Sequence, residues 1–223
     1  MGSAQAPPTP DSLTATQLAR RGRIVDAAIE LLGESDYEHI QMRDVADRAG
    51  VALGTIYRYF ASKEHLFGTA LVVWAATLRT QIRRHPLRGE TNSERLGDVL
   101  RRAVRAFQRQ PQFYRVMMML QATSDPLAAD CYRQLSGATT ATFRQAVDGL
   151  PEDLALGLVR VSEAVLDANL REWALGRSEI ASVYEALDDA VHLLLEFCEL
   201  SEPRQARRSV DSNPAGRSAR VGG

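Results

Sequence analysis

The sequence predicts an all-α protein of two domains, a small N-terminal helical unit and a larger helical body. Apolar residues recur at the spacing of helices along most of the chain, whereas the alternation typical of strands is almost absent. Pro111, Pro126 and Pro151 each begin a periodic segment, and proline is well tolerated in the first turn of a helix. The 223 residues, 45% hydrophobic and 25% charged, are sufficient for two such units.

Both ends of the chain are predicted to be disordered. Residues 1–14 are rich in Pro, Ala, Gln and Ser, and residues 201–223 combine Ser, Pro and Gly with five arginines. A basic tail can add nonspecific attraction to nucleic acid, but the simpler interpretation is a solvated tail without a role.

The first domain is predicted to occupy residues 15–65, and its second helix ends in a glycine turn. After a first helix within RGRIVDAAIELLGESDYEHI, Val45, Ala46 and Ala49 give a short helix one apolar face. This helix ends at Gly50, since glycine readily takes the left-handed conformation that a tight turn between helices requires. Val51 then fills the angle between the two helices.

The next helix, residues 52–59, is too short to be stable alone, so Val51, Ile56 and Phe60 must hold it from below. Its opposite face carries Leu53, Gly54, Thr55, Tyr57 and Arg58. Glycine lets a backbone come close, hydroxyls suit phosphate oxygens, arginine can read guanine, and an apolar side chain can touch a thymine methyl. The pattern from Gln41 to Phe60 therefore indicates a DNA-binding helix-turn-helix. Tyr57 and Tyr59 are included as contacts, with core packing as the alternative, which suits Tyr59 better.

Lys63 is the only lysine in the chain and directly follows Ser62 at a predicted helix start. The helix macrodipole opposes a cation there, whereas a DNA phosphate would be stabilised by both the free backbone N–H groups and the ammonium. We interpret Lys63 as a phosphate contact, with a chance surface lysine as the alternative. The net charge is −1, but basic residues concentrate in this part of the chain: Arg20, Arg21, Arg23, Arg43, Arg48, Arg58 and Lys63. Arg43 completes the candidate DNA contacts.

From Arg20 to about Thr80 the chain carries the ordered motifs RDVADRAGV, GTIYRYF and SKEHLF, which resemble the DNA-binding domain of TetR-family transcriptional regulators. The stretch QMRDVADRAGVALGTIYRYFASKEHL is most similar to the corresponding sequence in the branch of that family that represses steroid catabolism. The resemblance implies a homodimer that binds a palindromic double-stranded DNA operator and leaves it when a small-molecule effector binds. One position departs from the pattern: many members carry Ser or Thr where Gln41 and Met42 stand, which puts a phosphate contact there in doubt.

The body is predicted to extend over residues 66–200 as an effector-binding and dimerisation domain. A long helix from Ser62 to about Arg84 links it to the first domain and ends before Pro86. Later helices are expected from Ser93, which caps its own helix, from Pro111, from Pro126 to about Val147, from Pro151 to about Gly176, and from Ser178 through Glu199.

Three consecutive methionines, Met117 to Met119, stand among aromatic residues of the body. Methionine is flexible and polarisable, so such a cluster can line a cavity for an apolar ligand, although ordinary core is commoner. The predicted pocket residues are Phe107, Phe113, Met117, Met118, Phe143 and Trp173. Few carboxylates converge there, so the expected effector is uncharged or anionic and largely apolar, such as a steroid or a thioester of an apolar acid, and not a cationic drug.

Broad apolar faces on the last two helices suggest a subunit interface. The candidate interface residues are Leu166, Leu170, Val183, Leu187, Val191 and Leu194. The TetR resemblance implies that these helices pair with their copies in a four-helix bundle. A monomer whose last two helices simply complete the core is the alternative.

The sequence offers no catalytic, metal or cofactor site. Cys131 and Cys198 are isolated in helical contexts, the four histidines are scattered, and no glycine-rich phosphate loop follows a strand. No apolar run approaches the roughly 20 residues of a membrane span, and the N-terminus lacks the order of a signal peptide. We expect a cytoplasmic, ligand-responsive repressor that is not an enzyme; the alternative is a ligand-independent DNA-binding module or an activator.

Overall fold

The computed structural model describes residues 7–194, and this range contains helices and no strand, which confirms the all-α fold class. A turn of 3-10 helix at Pro10–Ser12 precedes the first α-helix. The helices are α1 Ala15–Glu34, α2 Met42–Ala49, α3 Leu53–Tyr59, α4 Lys63–Arg84, α5 Asn92–Arg109, α6 Pro111–Ala122, α7 Pro126–Arg144, α8 Glu152–Ala174 and α9, described over residues 180–194.

The predicted N-terminal arm ends in a helix cap. Thr14 and Gln17 form a capping box, in which the Thr14 N–H donates to the Gln17 side chain at 2.9 Å and the Gln17 N–H donates to the Thr14 hydroxyl at 3.4 Å. Residues 1–6 and the tail, residues 201–223, lie outside the described range. The expected disorder of both ends stays a prediction.

Three predicted helix starts differ from the structure by one or two residues, and at α5 the reason is that a different side chain caps the helix. Thr91, not Ser93, caps α5: its hydroxyl accepts the Glu94 N–H at 3.2 Å, and the Glu94 carboxylate accepts the Thr91 N–H at 3.1 Å. Pro151 is the cap residue of α8, whose first helical residue is Glu152. The last helix begins at residue 180 rather than at Ser178, and its residues beyond 194, including Cys198, are outside the described range.

The long helix α4 joins the first three helices to the body. It packs against α1 on one side and against α6 and α7 on the other. At Gly68 a Cβ would lie 2.9 Å from Leu120 and 3.1 Å from Cys131, so the close approach of α4 to α6 and α7 requires glycine. One continuous helix therefore contacts both the first domain and the body.

Candidate DNA-binding surface and ligand cavity

The turn between α2 and α3 has the geometry that the sequence predicts. Gly50 adopts φ 64° and ψ 41°, in the left-handed region. The Val51 N–H donates to the Ala46 carbonyl at 3.0 Å and the Gly50 N–H to the Asp47 carbonyl at 3.2 Å, which satisfies the last carbonyls of α2. This turn sets the angle at which α3 leaves the surface.

The short helix α3 is held from one side only. Ile56 and Phe60 are fully buried beneath it, whereas Gly54, Tyr57 and Arg58 are exposed on the opposite face. Leu53 and Thr55 are partly exposed at its start. The predicted outward residues therefore share one surface, with Tyr57 51% exposed.

Gly54 has no role in packing. A Cβ at this position would meet no atom within 4 Å, and no positive φ requires glycine there. Glycine in a helix costs roughly 1 kcal/mol relative to alanine. The empty space lies on the outer face of α3. Close approach of another molecule to the backbone at this point would explain why the position is glycine and not alanine.

Tyr59 is the exception among the predicted contacts, because its side chain is only 1% exposed and belongs to the core. The Arg58 Nη2 donates to the Tyr59 hydroxyl at 3.1 Å, and the Arg58 guanidinium lies 5.1 Å from the ring centroid. The helical period turns residue 59 inward beside Ile56. Tyr59 thus supports Arg58 from beneath, and a direct contact with DNA is not available to it.

Lys63 makes an internal contact that neither sequence interpretation included. Its Nζ donates to the Tyr37 carbonyl at 2.7 Å and lies 4.3 Å from the centroid of the Tyr37 ring. Partial burial lowers the pKa of this ammonium, and the carboxylates of Glu38, Glu64 and Asp44 oppose that shift. Lys63 therefore ties the start of α4 to the loop between α1 and α2.

The other arginines of the first domain differ in whether their positive charge is already paired inside the protein or is exposed to a binding partner. Arg48 is paired with Glu34 at 2.7 Å and with Glu30 at 3.3 Å, so its charge is largely balanced. Arg21 lies over the Phe60 ring at 4.9 Å. Arg43 is exposed at the start of α2, whereas Met42 beside it is buried and the Gln41 N–H is capped by Asp44 at 2.7 Å.

The first domain and the body are joined by side-chain hydrogen bonds. The Tyr37 N–H donates to Gln112 Oε1 at 3.2 Å, and Gln112 Nε2 donates to Asp36. Ser62, which caps α4 by accepting the His65 N–H at 3.0 Å, also donates to Asp125. Asp125 in turn caps α7 by accepting the Leu127 N–H at 2.8 Å. Both body helices that meet the first domain do so at their N-terminal ends.

A cavity of about 300 Å³ lies in the middle of the body, between α4, α5, α6, α7 and α8. It is lined by Leu71, Trp74, Ala75, Leu78, Arg79, Ile82, Ala103, Phe107, Met117, Gln121, Tyr132, Leu135, Ser136, Thr139, Thr142, Phe143, Glu163, Ala164, Leu166 and Asp167. Of the predicted pocket residues, Phe107, Met117 and Phe143 line it.

The other three predicted pocket residues lie away from the cavity, and each has a geometric reason. Phe113 is fully buried behind Trp74, with the two rings stacked at 4.4 Å between centroids. Successive helical residues point about 100° apart, so Met118 faces away when Met117 faces the cavity. Trp173 is six residues beyond Asp167, about 9 Å further along α8. Trp74 on α4, which is not among the predicted pocket residues, lines the cavity instead.

Polar groups of the cavity wall are mostly satisfied within the protein. Asp167 accepts the Tyr114 hydroxyl at 2.8 Å and Gln121 Nε2 at 2.9 Å. Glu163 accepts the Thr140 hydroxyl at 3.0 Å, and burial raises the pKa of its carboxyl. As the sequence indicates, few carboxylates converge here: only Glu163 and Asp167 among the lining residues are acidic, and both accept hydrogen bonds from the protein.

The predicted interface residues of the last two helices are covered by their own chain. Five of the six are buried: Leu166, Leu170, Val183, Leu187 and Val191. Leu194 is partly buried. α9 is held against α5, where the Tyr184 hydroxyl donates to Gln108 at 3.2 Å and Arg101 pairs with Asp188. These apolar faces therefore belong to the core of the single chain, and a role in a subunit interface stays a prediction.

Different residues of α8 and α9 are exposed. On α8 the exposed positions Gly157, Val161 and Ala168 form one stripe of small and apolar side chains, Ala164 at its inner edge also lines the cavity, and the exposed Leu175 directly follows the end of the helix. Val161 is 46% exposed and Leu193, on α9, is 64% exposed. Among residues 7–194 no helix is both long and apolar enough to cross a membrane. The same residues hold no acidic, histidine and cysteine cluster suited to a metal ion.

Comparison with known proteins gives matches over both parts of the chain. Residues 24–70 match the family described as bacterial regulatory proteins, tetR family, and residues 89–194 match the tetracyclin repressor-like C-terminal domain. The HTH-type transcriptional repressor KstR of Mycobacterium tuberculosis is 36% identical over 180 residues, which cover 80% of this chain and 82% of the relative.

Solved structures have the same fold. A TetR transcriptional regulator from Rhodococcus sp. RHA1 superposes with a TM-score of 0.68 at 29% identity, covering 82% of this chain and 97% of that one. Thermus thermophilus FadR, a repressor solved with lauroyl-CoA, has a TM-score of 0.63 at 21% identity over 91% of this chain and 99% of that one. At that identity the second likeness concerns the fold alone.

Proposed function

Because the chain belongs to the TetR family of bacterial regulatory proteins, we propose that it is a ligand-responsive repressor that binds a palindromic DNA operator as a homodimer in the cytoplasm. The observation that carries this proposal is the outward face of α3, where Gly54, Tyr57 and Arg58 are exposed on a helix that the core holds from below. Leu53, Thr55, Arg43 and Lys63 extend this candidate DNA-binding surface.

The groups on this surface have distinct roles in the proposed complex. Arg58 can donate two hydrogen bonds to a guanine in the major groove, and the Tyr57 and Thr55 hydroxyls can bind phosphate oxygens. Gly54 leaves room for the DNA to approach the α3 backbone. Base readout thus falls to Arg58, whereas most other contacts set the position of the helix.

The first prediction concerns Arg58. Operator fragments are located by footprinting upstream of the neighbouring genes, and a randomised-operator selection is then run for each variant. Arg58→Ala should relax the preference at one or two base positions and cost about 1 to 3 kcal/mol of binding free energy. Arg133→Ala, on the body surface, is the control and should keep the parent motif. A parent-like motif and affinity for Arg58→Ala would remove the assignment.

We further propose that the dimer forms through the outward stripe of α8 together with Leu193. Small residues let two helices approach closely, and an isologous interface needs only one such surface on each subunit. The buried residues named from the sequence would stabilise this interface from behind. The two N-terminal DNA-binding domains of the dimer are called its heads. If they are held about 34 to 36 Å apart, they could engage successive major grooves on one side of the operator.

The cavity supports an effector that is largely apolar. Its volume of about 300 Å³ is at the lower end of the range for ligand pockets, and Leu71, Trp74 and Leu78 contribute an apolar wall. Titration of sterol-derived, fatty-acyl and aromatic compounds into the preformed operator complex, followed by DNA anisotropy, tests for release. A regulator that no apolar compound releases would favour the ligand-independent or activator alternative.

A thioester of an apolar acid is the second candidate effector, and a neighbouring groove favours it. This groove, about 840 Å³, shares Leu78 and Ile82 with the cavity and is lined by Arg88, Arg102, Arg105 and Arg109. Arg102 is occupied by Asp98 at 2.6 Å and by the Pro86 carbonyl at 2.8 Å. The other three arginines are exposed and suit the phosphates of a coenzyme such as the one in the FadR complex.

The proposed mechanism is a shift of population between two arrangements of the heads. A ligand that fits the cavity better in one arrangement favours that arrangement by its difference in affinity. Trp74 on α4 lines the cavity, and its indole N–H donates to Gln110 at 2.6 Å at the start of α6. Gln112, two residues later, holds the loop before α2, so displacement of α4 or α6 would change the setting of the DNA-binding helices.

A further inference from the structure

One buried donor in the cavity wall has no partner. Arg79 lies on α4 and lines the cavity, and its Nη1 is buried without any hydrogen bond inside residues 7–194. No carboxylate of this range lies within ion-pairing distance of the guanidinium. Arg83, one turn later on the same helix, adds a second positive charge.

An unpaired guanidinium in this position is energetically unfavourable. A buried hydrogen-bond donor without an acceptor loses its hydration and gains nothing in return, and the loss is larger for a charged group. Burial lowers the pKa of Arg79, and Arg83 lowers it further. An arginine nevertheless stays protonated in proteins, so the partly exposed guanidinium keeps its charge while its buried Nη1 lacks an acceptor.

The other polar groups of the wall differ from Arg79 in this respect. The Thr139 and Thr142 hydroxyls donate to carbonyls of their own helix at 2.9 and 2.8 Å. Asp167 and Glu163 each accept hydrogen bonds from the protein. Among the described residues, Arg79 Nη1 is therefore the buried side-chain polar atom that lacks a partner, and it lies in the wall of this cavity.

We propose that Arg79 recognises the effector by donating a hydrogen bond to one of its oxygen acceptors, a carboxylate or an acyl carbonyl. The apolar remainder of the ligand then contacts the Trp74 and Leu78 side of the cavity. This assignment rests on the proposed ligand-responsive function and specifies the chemistry that its binding site selects. It excludes a cationic group at the Arg79 end of the ligand, since two positive charges would face each other there.

Three probes with the same twelve-carbon chain and different head groups test the proposal: dodecanoic acid, methyl dodecanoate and dodecylamine. The full chain with Trp173→Phe has Trp74 as its single tryptophan, and this residue lines the cavity. Binding is followed by Trp74 fluorescence below the micellar concentration of each probe. We expect the acid to bind most tightly, the ester less tightly and the amine least, with about tenfold or more between acid and amine.

Two variants in this background separate Arg79 from its surroundings. Arg79→Met keeps a flexible apolar chain and removes the donor, so the acid should lose about tenfold or more in affinity and the preference over the ester should disappear. Arg79→Lys should retain part of the preference. Arg133→Met, at an exposed arginine of α7 outside the cavity, is the matched control and should leave the preference for the acid over the ester in place.

The outcomes separate this proposal from the proposed function. Equal affinities for acid, ester and amine, a preference that survives Arg79→Met, or no binding of any probe would each overturn the role of Arg79. Operator binding by each variant without ligand is measured in parallel by DNA anisotropy. Intact operator binding beside any of those results leaves the DNA-binding regulator standing, whereas failure of the parent protein to bind any operator counts against the proposed function itself.

Discussion

Lys63 places a positive charge in the first turn of α4, and the groups around it compensate for this unfavourable position. A cation in the first turn of a helix is disfavoured by the macrodipole, yet the Tyr37 carbonyl at 2.7 Å and the face of its ring offer compensating negative potential. An ammonium has three donors, and the Tyr37 carbonyl occupies one of them. The proposed phosphate contact would use another, so the internal bond and the DNA contact can coexist at one side chain.

After Arg58, the second prediction about a single residue concerns Gly54, where the stability of the fold and the affinity for the operator should change in opposite directions. Gly54→Ala should raise the free energy of unfolding by about 0.5 to 1 kcal/mol, because alanine favours the helix and the Cβ meets no atom within 4 Å. Operator affinity should fall, because the Cβ occupies the space that the DNA backbone requires. Thermal unfolding and DNA anisotropy measure the two effects.

The control for Gly54 is a second helical glycine with the same open surroundings. Gly137 is exposed on α7, and a Cβ there also meets no atom within 4 Å. Gly137→Ala, in the interior of a longer helix, should stabilise the protein at least as much and leave operator affinity unchanged. If Gly54→Ala binds the operator as tightly as the parent does, the glycine is not a point of DNA approach.

Residues that act on near neighbours in the chain are the ones that sequence reasoning can assign. Gly50 and Ser62 were predictable because their conformation or hydrogen bond concerns the next few residues of the same turn or helix. The helical period alone could have placed Tyr59 in the core. Trp74 and Gln110 are 36 residues apart, so no periodic pattern in the sequence could predict their hydrogen bond. The same holds for the buried, unpaired donor on Arg79.

At the scale of helices, α6 has a special position because it contacts both the cavity and the first domain. Met117 and Gln121 line the cavity near its C-terminal half. Gln112, near its N-terminus, binds both Asp36 and the Tyr37 N–H. A helix transmits a displacement along its length more readily than a loop does, so α6 is suited to couple the two sites.

We predict that Gln112→Leu loosens the junction without unfolding the body. The Tyr37 amide should exchange its hydrogen about fivefold faster, as expected for the loss of one hydrogen bond worth about 1 kcal/mol, and operator affinity should fall because the heads are held less firmly. Hydrogen exchange followed by mass spectrometry measures the first effect. Gln108→Leu, on α5 at the far contact with Tyr184, is the control. Unchanged exchange at Tyr37 in Gln112→Leu would contradict the prediction.

Helix positions were predictable to within a few residues, whereas the partner of an apolar face was not. Prolines and periodicity placed α6 and α7 correctly, and the error at α5 arose because Thr91 and Ser93 are both competent caps. Amphipathic spacing predicts that Val183, Leu187 and Val191 lie on an apolar face that must be buried against another surface. It does not state whether the same chain or a second copy covers them, and here α5 and the rest of the body do so.

For the whole molecule, the proposed function makes operator recognition depend on two copies of the chain. One short recognition helix contacts only a few base pairs, so high affinity requires that both heads bind together at the spacing of successive major grooves. The effective concentration of the second head then depends on the interface, and loss of the dimer should weaken operator binding by roughly 100-fold or more. The interface residues are therefore testable through DNA binding as well as through assembly.

The last prediction is that Val161→Glu produces a folded monomer. Val161 is 46% exposed in the single chain, so the substitution costs little in the isolated subunit but places a charge in the proposed interface, where it lacks a partner. Val73→Glu on α4, where the valine is 40% exposed and away from the α8 stripe, is the matched control and should remain a dimer. Sedimentation and operator anisotropy at micromolar protein are the measurements. Val191→Glu, at a residue 3% exposed, should instead unfold the body. A dimeric Val161→Glu with full operator affinity would place the interface elsewhere on the chain.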